Sequence, residues 1–460
     1  MYTTFTTITI PSKVQKIPFE CFKHTMLETI YLPSGLRYID EYAFYNSSLR
    51  NAEMPEGLVS IGQYAFFNTS LSYMNLKESF IKLNSHALDS SFITQITFPH
   101  SLRYIYPYAF QNTSIPNIII PEGLSHLGDR AFCNTSTSYI DLPSTLTSIG
   151  SYAFQNCSVK TLILKEGLQT IEIYAFYNSS LTYLILPPTI RSIGDYAFLN
   201  CPFKTLIFPK IASISRIGSY AFAFLEFENI TIPEGTLSLG EGTFRGVITK
   251  KLTIPKTLRD TGYFSFTDIN TGRLTIPDEI SSIGNYSFAA SNIDAISIPN
   301  NMRYIGEGAF ISTNIDNVLV PLFAYAGKRA FEDCKNVKYV NMGHNAYIGD
   351  GAFNNCYSIT NITTDDEVIF DGYAFENVTK TITVVHIGHH DMRVINTRDN
   401  LHSIMIIGYV QCCYISNRFC YVKPYNYTTC TIDNMKCISY AKAPKYRNYA
   451  VLAEMYLGLC

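Results

Sequence analysis

A repeat of about 22 residues is the feature that most constrains how this chain can fold. One large apolar residue, almost always Phe, recurs at this interval through most of the chain. A fixed period in this range is typical of a solenoid, in which each unit buries its apolar face only by stacking on its neighbours. We therefore predict one stacked array. The residues that mark its seventeen copies are Phe22, Phe44, Phe66, Leu88, Phe110, Phe132, Phe154, Phe176, Phe198, Phe222, Phe244, Phe266, Phe288, Phe310, Phe331, Phe353 and Phe375.

The copy over residues 181–200 shows how a unit is built. In residues 181–186 (LTYLIL), inward and outward side chains alternate over the last four positions, as in a short strand. The Pro that follows cannot donate a hydrogen bond to the ladder, so it suits the end of such a strand. Leu181, Leu184 and Leu186 are expected to point inward, and one strand per unit would form a parallel sheet. Residues 193–198 (IGDYAF) are expected to form a short helical or irregular turn on the convex side.

Two further columns recur around the marker Phe. A glycine four residues before it is expected where a backbone angle or a close contact is required. An asparagine two residues after it suits hydrogen bonding in the turn and stacking along the array. The glycines are Gly62, Gly128, Gly150, Gly194, Gly218, Gly240, Gly262, Gly284, Gly306, Gly327 and Gly349, and the asparagines are Asn46, Asn68, Asn112, Asn134, Asn156, Asn178, Asn200 and Asn355.

Some units depart from this pattern. Lys77 and Lys165 replace the Pro after the strand, and two extra residues occur around 211–215, where we expect a bend or bulge. In later units Gly242, Gly308 and Gly351 occupy the place of the Tyr that precedes Ala-Phe.

The pattern strand-Pro-x-x-Leu-x-x-Ile-Gly-x-Tyr-Ala-Phe-x-Asn-Cys-x-x-Leu resembles the BspA-type leucine-rich repeat, often called type 5. The resemblance covers roughly residues 1–385. It implies an α/β-type repeat solenoid that is curved and right-handed, with a parallel β-sheet on the concave face. Proteins of this family are known as bacterial surface adhesins, in parasitic protists and in some giant DNA viruses, and binding to host proteins is the activity usually attributed to them.

The chain is predicted to divide into residues 1–385, an array of about 17 units of about 22 residues each, and residues 386–460. The second segment abandons the period and is rich in Cys and His. Residues 381–385, 403–407 and 419–422 are predicted to be short strands, and residues 446–459 an amphipathic helix. We expect this tail to be a small α+β cap folded against the last repeats.

Composition and motifs argue against several function classes. A net charge of −2 does not favour nucleic-acid binding, which needs clustered Lys and Arg. No apolar run approaches the ~20 residues of a membrane-spanning helix. The first residues lack the basic and apolar regions of a signal peptide, so a cytoplasmic location is expected, while the family resemblance also allows the cell surface or a virion. No nucleophile elbow, phosphate loop or cofactor motif is present, so an enzyme is not expected and neither is a cofactor.

The cysteines and the glycosylation sequons are interpreted as structural. Cys157, Cys201, Cys334 and Cys356 follow the marker Phe by three residues, which predicts a column of small buried thiols, with a Cys334–Cys356 disulfide as an alternative. Structural zinc in the tail remains a second alternative, although no Cys-x-x-Cys pair is present there. Without a signal peptide, the five sequons that begin in the Asn column are read as part of that column.

Two columns of strand residues face outward once the inward positions are assigned. In the middle units they contain aliphatic and aromatic side chains where Thr and Asn serve elsewhere. Contiguous exposed apolar surface often marks a protein-binding site, although strand propensity alone or a covering loop would also account for it. The predicted partner-binding residues on the concave face are Asn117, Ile119, Tyr139, Asp141, Thr161, Ile163, Tyr183, Ile185, Thr205 and Ile207.

The preferred function is a non-enzymatic protein-binding scaffold that uses this concave face, with a protein partner of unknown identity. The alternatives are a surface or virion structural or adhesion protein that binds host proteins, and a catalytic or metal-dependent role of the tail. Exposed end strands also suggest self-association.

Overall fold

A computed structural model of the chain describes residues 5–210 and 214–378 except 366 and 372, and beyond them only the backbone of strands between residues 382 and 439. The chain forms two compact units, one of Met1–Phe227 with Ile232–Thr236 and one of Glu228–Thr231 with Leu237–Cys460. The predicted helix over 446–459 lies outside the described residues.

The first unit is made of short strands in pairs, one pair in each coil of the repeat. They are β1 (Thr7–Thr9), β2 (Lys16–Ile17), β3 (Thr29–Tyr31), β4 (Tyr38–Ile39), β5 (Asn51–Ala52), β6 (Ser60–Ile61), β7 (Tyr73–Asn75), β8 (Lys82–Leu83), β9 (Gln95–Thr97), β10 (Tyr104–Ile105), β11 (Asn117–Ile119), β12 (His126–Leu127), β13 (Tyr139–Asp141), β14 (Ser148–Ile149), β15 (Thr161–Ile163), β16 (Thr170–Ile171), β17 (Tyr183–Ile185), β18 (Ser192–Ile193), β19 (Thr205–Ile207) and β20 (Arg216–Ile217), followed by β21 (Glu226–Thr231), which the unit boundary divides.

The second unit also contains longer and shorter strands, but two longer ones, Ile248–Thr253 and Asn270–Thr275, follow one another directly. Its strands are β22 (Ser238–Leu239), β23 (Ile248–Thr253), β24 (Asn270–Thr275), β25 (Ser282–Ile283), β26 (Asn292–Ser297), β27 (Tyr304–Ile305), β28 (Asn317–Val320), β29 (Tyr325–Ala326), β30 (Tyr339–Met342), β31 (Tyr347–Ile348), β32 (Asn361–Thr364), β33 (Ile369–Asp371), β34 (Ile382–His386), β35 (Arg393–Ile395), β36 (Ile404–Gly408), β37 (Cys412–Ile415), β38 (Arg418–Tyr421), β39 (Thr428–Thr431) and β40 (Lys436–Ser439).

The strand that precedes the Pro position, here called the first strand, pairs in parallel with the first strand of the next coil. Leu184 of β17 is in register with Leu162 of β15 and Leu206 of β19, so the pairing follows the period of the sequence. In the first unit these ladders run in separate segments, namely β1-β3-β5, β7-β9, β11-β13 and β15-β17-β19. The predicted parallel sheet of one strand per unit is therefore confirmed, although it is interrupted.

A second parallel ladder lies where the sequence predicted only a turn. The two-residue strand before the repeat glycine, here called the second strand, pairs from coil to coil without a break through β2-β4-β6-β8-β10-β12-β14-β16-β18-β20. The chain is thus a β-solenoid, and no helix occurs among the residues that the structure describes. The helical part of the predicted α/β class is wrong for this part of the chain.

The turn around the marker Phe is not helical, because residues with left-handed backbone angles recur within it. Tyr174 and Asn178 have positive φ angles of 56° and 55°. Their N–H groups donate to the next coil, to the carbonyls of Asp195 at 3.0 Å and Leu199 at 2.9 Å, and that of Phe176 donates there too, to Ala197 at 2.8 Å. The residues between these three donate within their own coil, as Tyr177 does to the Tyr174 carbonyl at 3.1 Å. Every turn of this kind is therefore hydrogen-bonded both to itself and to its neighbour, which satisfies the buried backbone.

The Tyr position of this turn explains a departure noted in the sequence. A non-Gly residue in the left-handed region costs roughly 1–2 kcal/mol. Gly242, Gly308 and Gly351, which replace the Tyr, have φ angles of 58°, 55° and 67° and adopt that region without the cost. The substitution follows the backbone and needs no ligand to explain it.

The core is a stack of the marker side chains. Phe176 and Phe198 are fully buried, with ring centroids 5.3 Å apart and planes 4° from parallel. The inward Leu181, Leu184 and Leu186 are 0%, 0% and 2% exposed, which confirms their predicted direction. Stacking each ring on the next removes it from water on both faces, and burial of one such side chain contributes about 1.5–3 kcal/mol.

The repeat glycine is required by contact between coils. A Cβ at residue 194 would lie 2.5 Å from the Ile173 backbone nitrogen and 2.6 Å from the Glu172 carbonyl carbon. We expect Gly194→Ala to lower the free energy of unfolding by about 1–3 kcal/mol through overpacking, measured by urea denaturation.

The matched control for this prediction is Gly35→Ala. A Cβ there would meet nothing closer than the Ser12 carbonyl oxygen at 3.7 Å, an ordinary contact. Equal effects of the two substitutions would contradict the contact argument.

Many of the residues three positions after the marker Phe are buried hydrogen-bond donors. Thr113 Oγ1 donates to the Phe110 carbonyl at 2.7 Å, and Cys201 Sγ to the Phe176 carbonyl at 3.1 Å. The predicted column of buried thiols is confirmed for Cys157, Cys201, Cys334 and Cys356. The column is more than a set of small side chains, since Thr113, Ser91 and Cys201 each donate a hydrogen bond to the carbonyl of a marker residue. The hydroxyl of Ser47, at the same position in another coil, has no such partner.

Loss of one such donor tests this role. Thr113→Val keeps the shape of the side chain but removes its hydroxyl, and we expect it to cost about 1 kcal/mol of unfolding free energy by calorimetry. Thr113→Ser, which keeps the donor, serves as the comparison. A greater loss for Ser than for Val would show that packing, and not the hydrogen bond, determines the column.

The tail is described only as strands. The predicted strands at 381–385, 403–407 and 419–422 overlap β34, β36 and β38. Parallel pairing from one coil to the next continues from β32 through β34 to β36, after which β36, β39 and β40 pair antiparallel. The α+β cap thus has no described helix to support it.

Candidate functional site

The ten residues predicted to bind a partner all lie on consecutive first strands of the first unit. Strand β11 carries Asn117 and Ile119, β13 carries Tyr139 and Asp141, β15 carries Thr161 and Ile163, β17 carries Tyr183 and Ile185, and β19 carries Thr205 and Ile207. They flank one central residue in each strand, which points inward in β11, β13, β15 and β17, so the ten side chains lie on the outer side of the ladders.

Several of these outer side chains are apolar and accessible. Ile119 is 63% exposed, Ile163 58%, Tyr139 51% and Ile207 42%, whereas Tyr183 and Ile185 are half-buried. Because β-branched and aromatic side chains suit strands, one exposed example needs no explanation. Tyr31 and Tyr73 are exposed in the same way on β3 and β7.

What distinguishes this region is adjacency of aliphatic side chains. Ile163, Ile185 and Ile207 are in direct register on β15, β17 and β19, and we call these three residues the isoleucine row. Neighbouring strands lie about 4.8 Å apart, so the three side chains are direct neighbours on one apolar strip. Tyr183, flanked by Thr161 and Thr205, lies beside the row.

The structure divides the predicted site into two ladder segments. Tyr139 and Asp141 are paired with Asn117 and Ile119 in the β11-β13 segment, which is separate from β15-β17-β19. Thus the predicted residues are brought to one side of the first unit, and the isoleucine row is the set of aliphatic side chains that is contiguous over three hydrogen-bonded strands.

A charged cluster spans the two segments and was missed by the sequence analysis. The Nζ atom of Lys165 lies 2.8 Å from Asp141 Oδ1 and 3.7 Å from Glu122 Oε1. Glu122 in turn accepts hydrogen bonds from the Ser144 backbone N–H and hydroxyl, and these bonds, the backbone one first, hold the pKa of Glu122 below its usual range. The sequence did show that Lys165 replaces the repeat Pro. The two carboxylates that it contacts lie one and two coils earlier, so no pattern within its own unit indicated them.

This cluster contributes little to stability but shapes the polar edge of the site. The side chains of Glu122, Asp141 and Lys165 are between 37% and 52% exposed, so solvent screens their attraction. Asp141 Oδ1 is engaged with Lys165 at this edge of the site.

The asparagine column is a structural ladder. The side-chain amide of Asn178 donates to Asn156 Oδ1 at 2.7 Å, and that of Asn156 donates to Asn134 Oδ1 at 2.8 Å. The predicted stacking along the array is confirmed at these positions. All five sequons, at Asn46, Asn68, Asn112, Asn134 and Asn178, begin with residues whose amides donate to the preceding coil.

The described cysteines are free thiols, and only Cys21 among them is exposed. Cys334 and Cys356 are not joined. Burial raises the pKa of Cys201 to about 12 and that of Cys334 to about 11. Within residues 5–210 and 214–378, no group of three or more His, Cys, Asp or Glu side chains is placed to hold a metal ion. The tail residues considered for zinc lie where side chains are not described.

No helix in the described part of the chain has the length and apolar character needed to cross a membrane.

The fold and the turn chemistry together define a leucine-rich repeat β-solenoid. The family model for the BspA type leucine rich repeat region matches residues 1–115, 103–224, 215–338 and 323–398. This chain belongs to the BspA-type leucine-rich repeat family. The resemblance drawn from the sequence is confirmed.

Solved structures of leucine-rich repeat proteins are similar to this chain. One from Bacteroides ovatus is 20% identical with a TM-score of 0.51, and the match covers 83% of this chain and 92% of that one, which supports the same fold. A leucine rich cell surface protein from Faecalibacterium prausnitzii is 19% identical over 78% of this chain and 88% of its own, with a TM-score of 0.33. No curated protein sequence matches this chain significantly.

The thiols give a direct test of burial in the cores of the two units. In native protein near pH 8, Cys21 should be alkylated by iodoacetamide much faster than Cys201 or Cys334, because a buried thiol with a raised pKa is almost never a thiolate. Peptide mass spectrometry reads each site, and protein unfolded in guanidinium is the control in which the sites react alike. Native labelling of Cys201 as fast as Cys21 would show that the core is open there.

Proposed function

We propose that the chain is a non-enzymatic protein-binding scaffold and that its partner contacts the outer side of β11 to β19, the face expected from the sequence to be concave. The observation that carries the proposal is the isoleucine row, in which Ile163, Ile185 and Ile207 present a contiguous apolar surface to solvent. Exposed apolar patches of this kind are favoured at protein interfaces because burial against a partner removes them from water.

The surroundings of the row support a protein partner more than a small molecule. The row lies on an open sheet surface, and small ligands usually require a concave pocket that covers most of their area. Tyr139 and Tyr183 add aromatic surface, which is enriched in interface cores, and the Lys165–Asp141 pair supplies a polar rim. The fold is itself typical of protein-binding scaffolds.

The proposal predicts that two substitutions abolish partner capture. Ile163→Asp with Ile185→Asp places two charges in the row, which a partner would have to desolvate without compensation. Affinity purification with mass spectrometry should show loss of specific partners by at least roughly tenfold relative to wild type. Circular dichroism and the melting curve should stay close to wild type, because both side chains point outward.

The matched control is Ile248→Asp, since Ile248 is 49% exposed on first strand β23 of the second unit. It should retain the partners that the row variant loses. Capture that is equally strong with the row variant would exclude this site, and equal loss with Ile248→Asp would indicate a nonspecific effect of charge.

A further inference from the structure

Two basic side chains lie next to each other on the outer side of the second unit without an acidic partner. Ile248 of β23 is in register with Asn270 of β24, and the same offset places Lys251 beside Arg273. Both residues are exposed. Adjacent strands are about 4.8 Å apart, and like charges at directly opposite positions destabilise a sheet.

Neighbouring residues show that this sheet pairs a cation with an acid where it can. Lys250, next in sequence to Lys251, lies 3.2 Å from Glu228 Oε1 of β21. Among the residues with described side chains, none forms a hydrogen bond or ion pair with the ammonium of Lys251 or the guanidinium of Arg273. Asp294, the acid on the following strand, lies beside Gly272, and the register partner of Arg273 there is Ala295.

The two cations are accompanied by hydroxyl donors. Thr253 and Thr275 lie two residues further along the same strands and are also exposed. Since side chains two apart share a face, each hydroxyl lies on the side of the neighbouring cation. The residue in register with Arg273 on β26, Ala295, is small.

We propose that Lys251, Arg273, Thr253 and Thr275 form a binding site for a dianionic tetrahedral oxyanion of the phosphate or sulfate class, either free or as an ester. Two unpaired positive charges match an anion of about two negative charges, as phosphate groups carry at neutral pH. The planar guanidinium donates two parallel bonds to such an anion, and the ammonium and hydroxyls add further donors. This site lies in the second unit and does not depend on the isoleucine row.

The repulsion between Lys251 and Arg273 predicts that one substitution both stabilises the protein and weakens its binding of phosphate. Lys251→Thr should raise the Tm at low ionic strength, because it removes one of two adjacent like charges. The same change should weaken binding of inorganic phosphate, read by calorimetry and by 31P NMR, by about tenfold or more. Phosphate should raise the Tm of wild type through its affinity for the folded state, and this rise should be lost in the variant.

Lys338→Thr is the matched control, since Lys338 is an exposed cation before β30 whose neighbours in the adjacent coils are Asp316 and Thr360, neither of them a cation. It should bind phosphate as wild type does. Sulfate and phosphoserine at equal ionic strength distinguish a free ion from an ester, and acetate tests the need for a dianion.

Three results would each overturn the assignment. One is an unchanged phosphate affinity in Lys251→Thr, and another is acetate binding as tight as phosphate. The third is a fall in Tm for Lys251→Thr at low ionic strength, which would show that the two cations do not repel and would remove the reason to assign the site.

Discussion

Coil-to-coil hydrogen bonding in the turn is the constraint on which the rest of this fold depends. Alternate residues of the turn, such as Tyr174, Phe176 and Asn178, donate their N–H groups to carbonyls of the next coil, and the first and last of these three have positive φ. The turn therefore stacks with a fixed spacing, and that spacing sets the distance between the Phe rings in the core and between the strands on either side. Helices in these positions would keep their hydrogen bonds to themselves, and contact between coils would rest on side chains alone.

Most of the fold was predictable because the repeat is a physical periodicity. The inward direction of Leu184, the burial of Phe198 and the parallel pairing of equivalent positions all follow from apolar spacing. The second strand was not predictable in the same way. It contains only two residues, such as Ser192 and Ile193, which is too short to show any alternation, and its strand geometry arises from pairing with equivalent positions in adjacent coils.

The candidate site was predicted in its location but not in its electrostatics. Alternation along each strand was sufficient to place Ile163 and Ile185 outside. The contact of Lys165 with Glu122 spans two coils, and distances of that kind depend on side-chain conformations that no column pattern encodes. Similarly, the adjacency of Lys251 and Arg273 became meaningful only when strand pairing placed them side by side and no described acid was found bonded to either.

The pairing of β18 with β20 has a consequence for how such a chain can diverge. Ile193 and Ile217 are in register although the coil between them is longer than the usual repeat, and Tyr304 and Tyr325 are in register although theirs is shorter. Changes of length are thus absorbed between the two ladders, while the paired positions keep their neighbours. Insertions and deletions in that segment would change residue numbers without moving the paired strand positions. Homologues with different loop lengths would therefore still present the side chains used for recognition at equivalent positions of the two ladders.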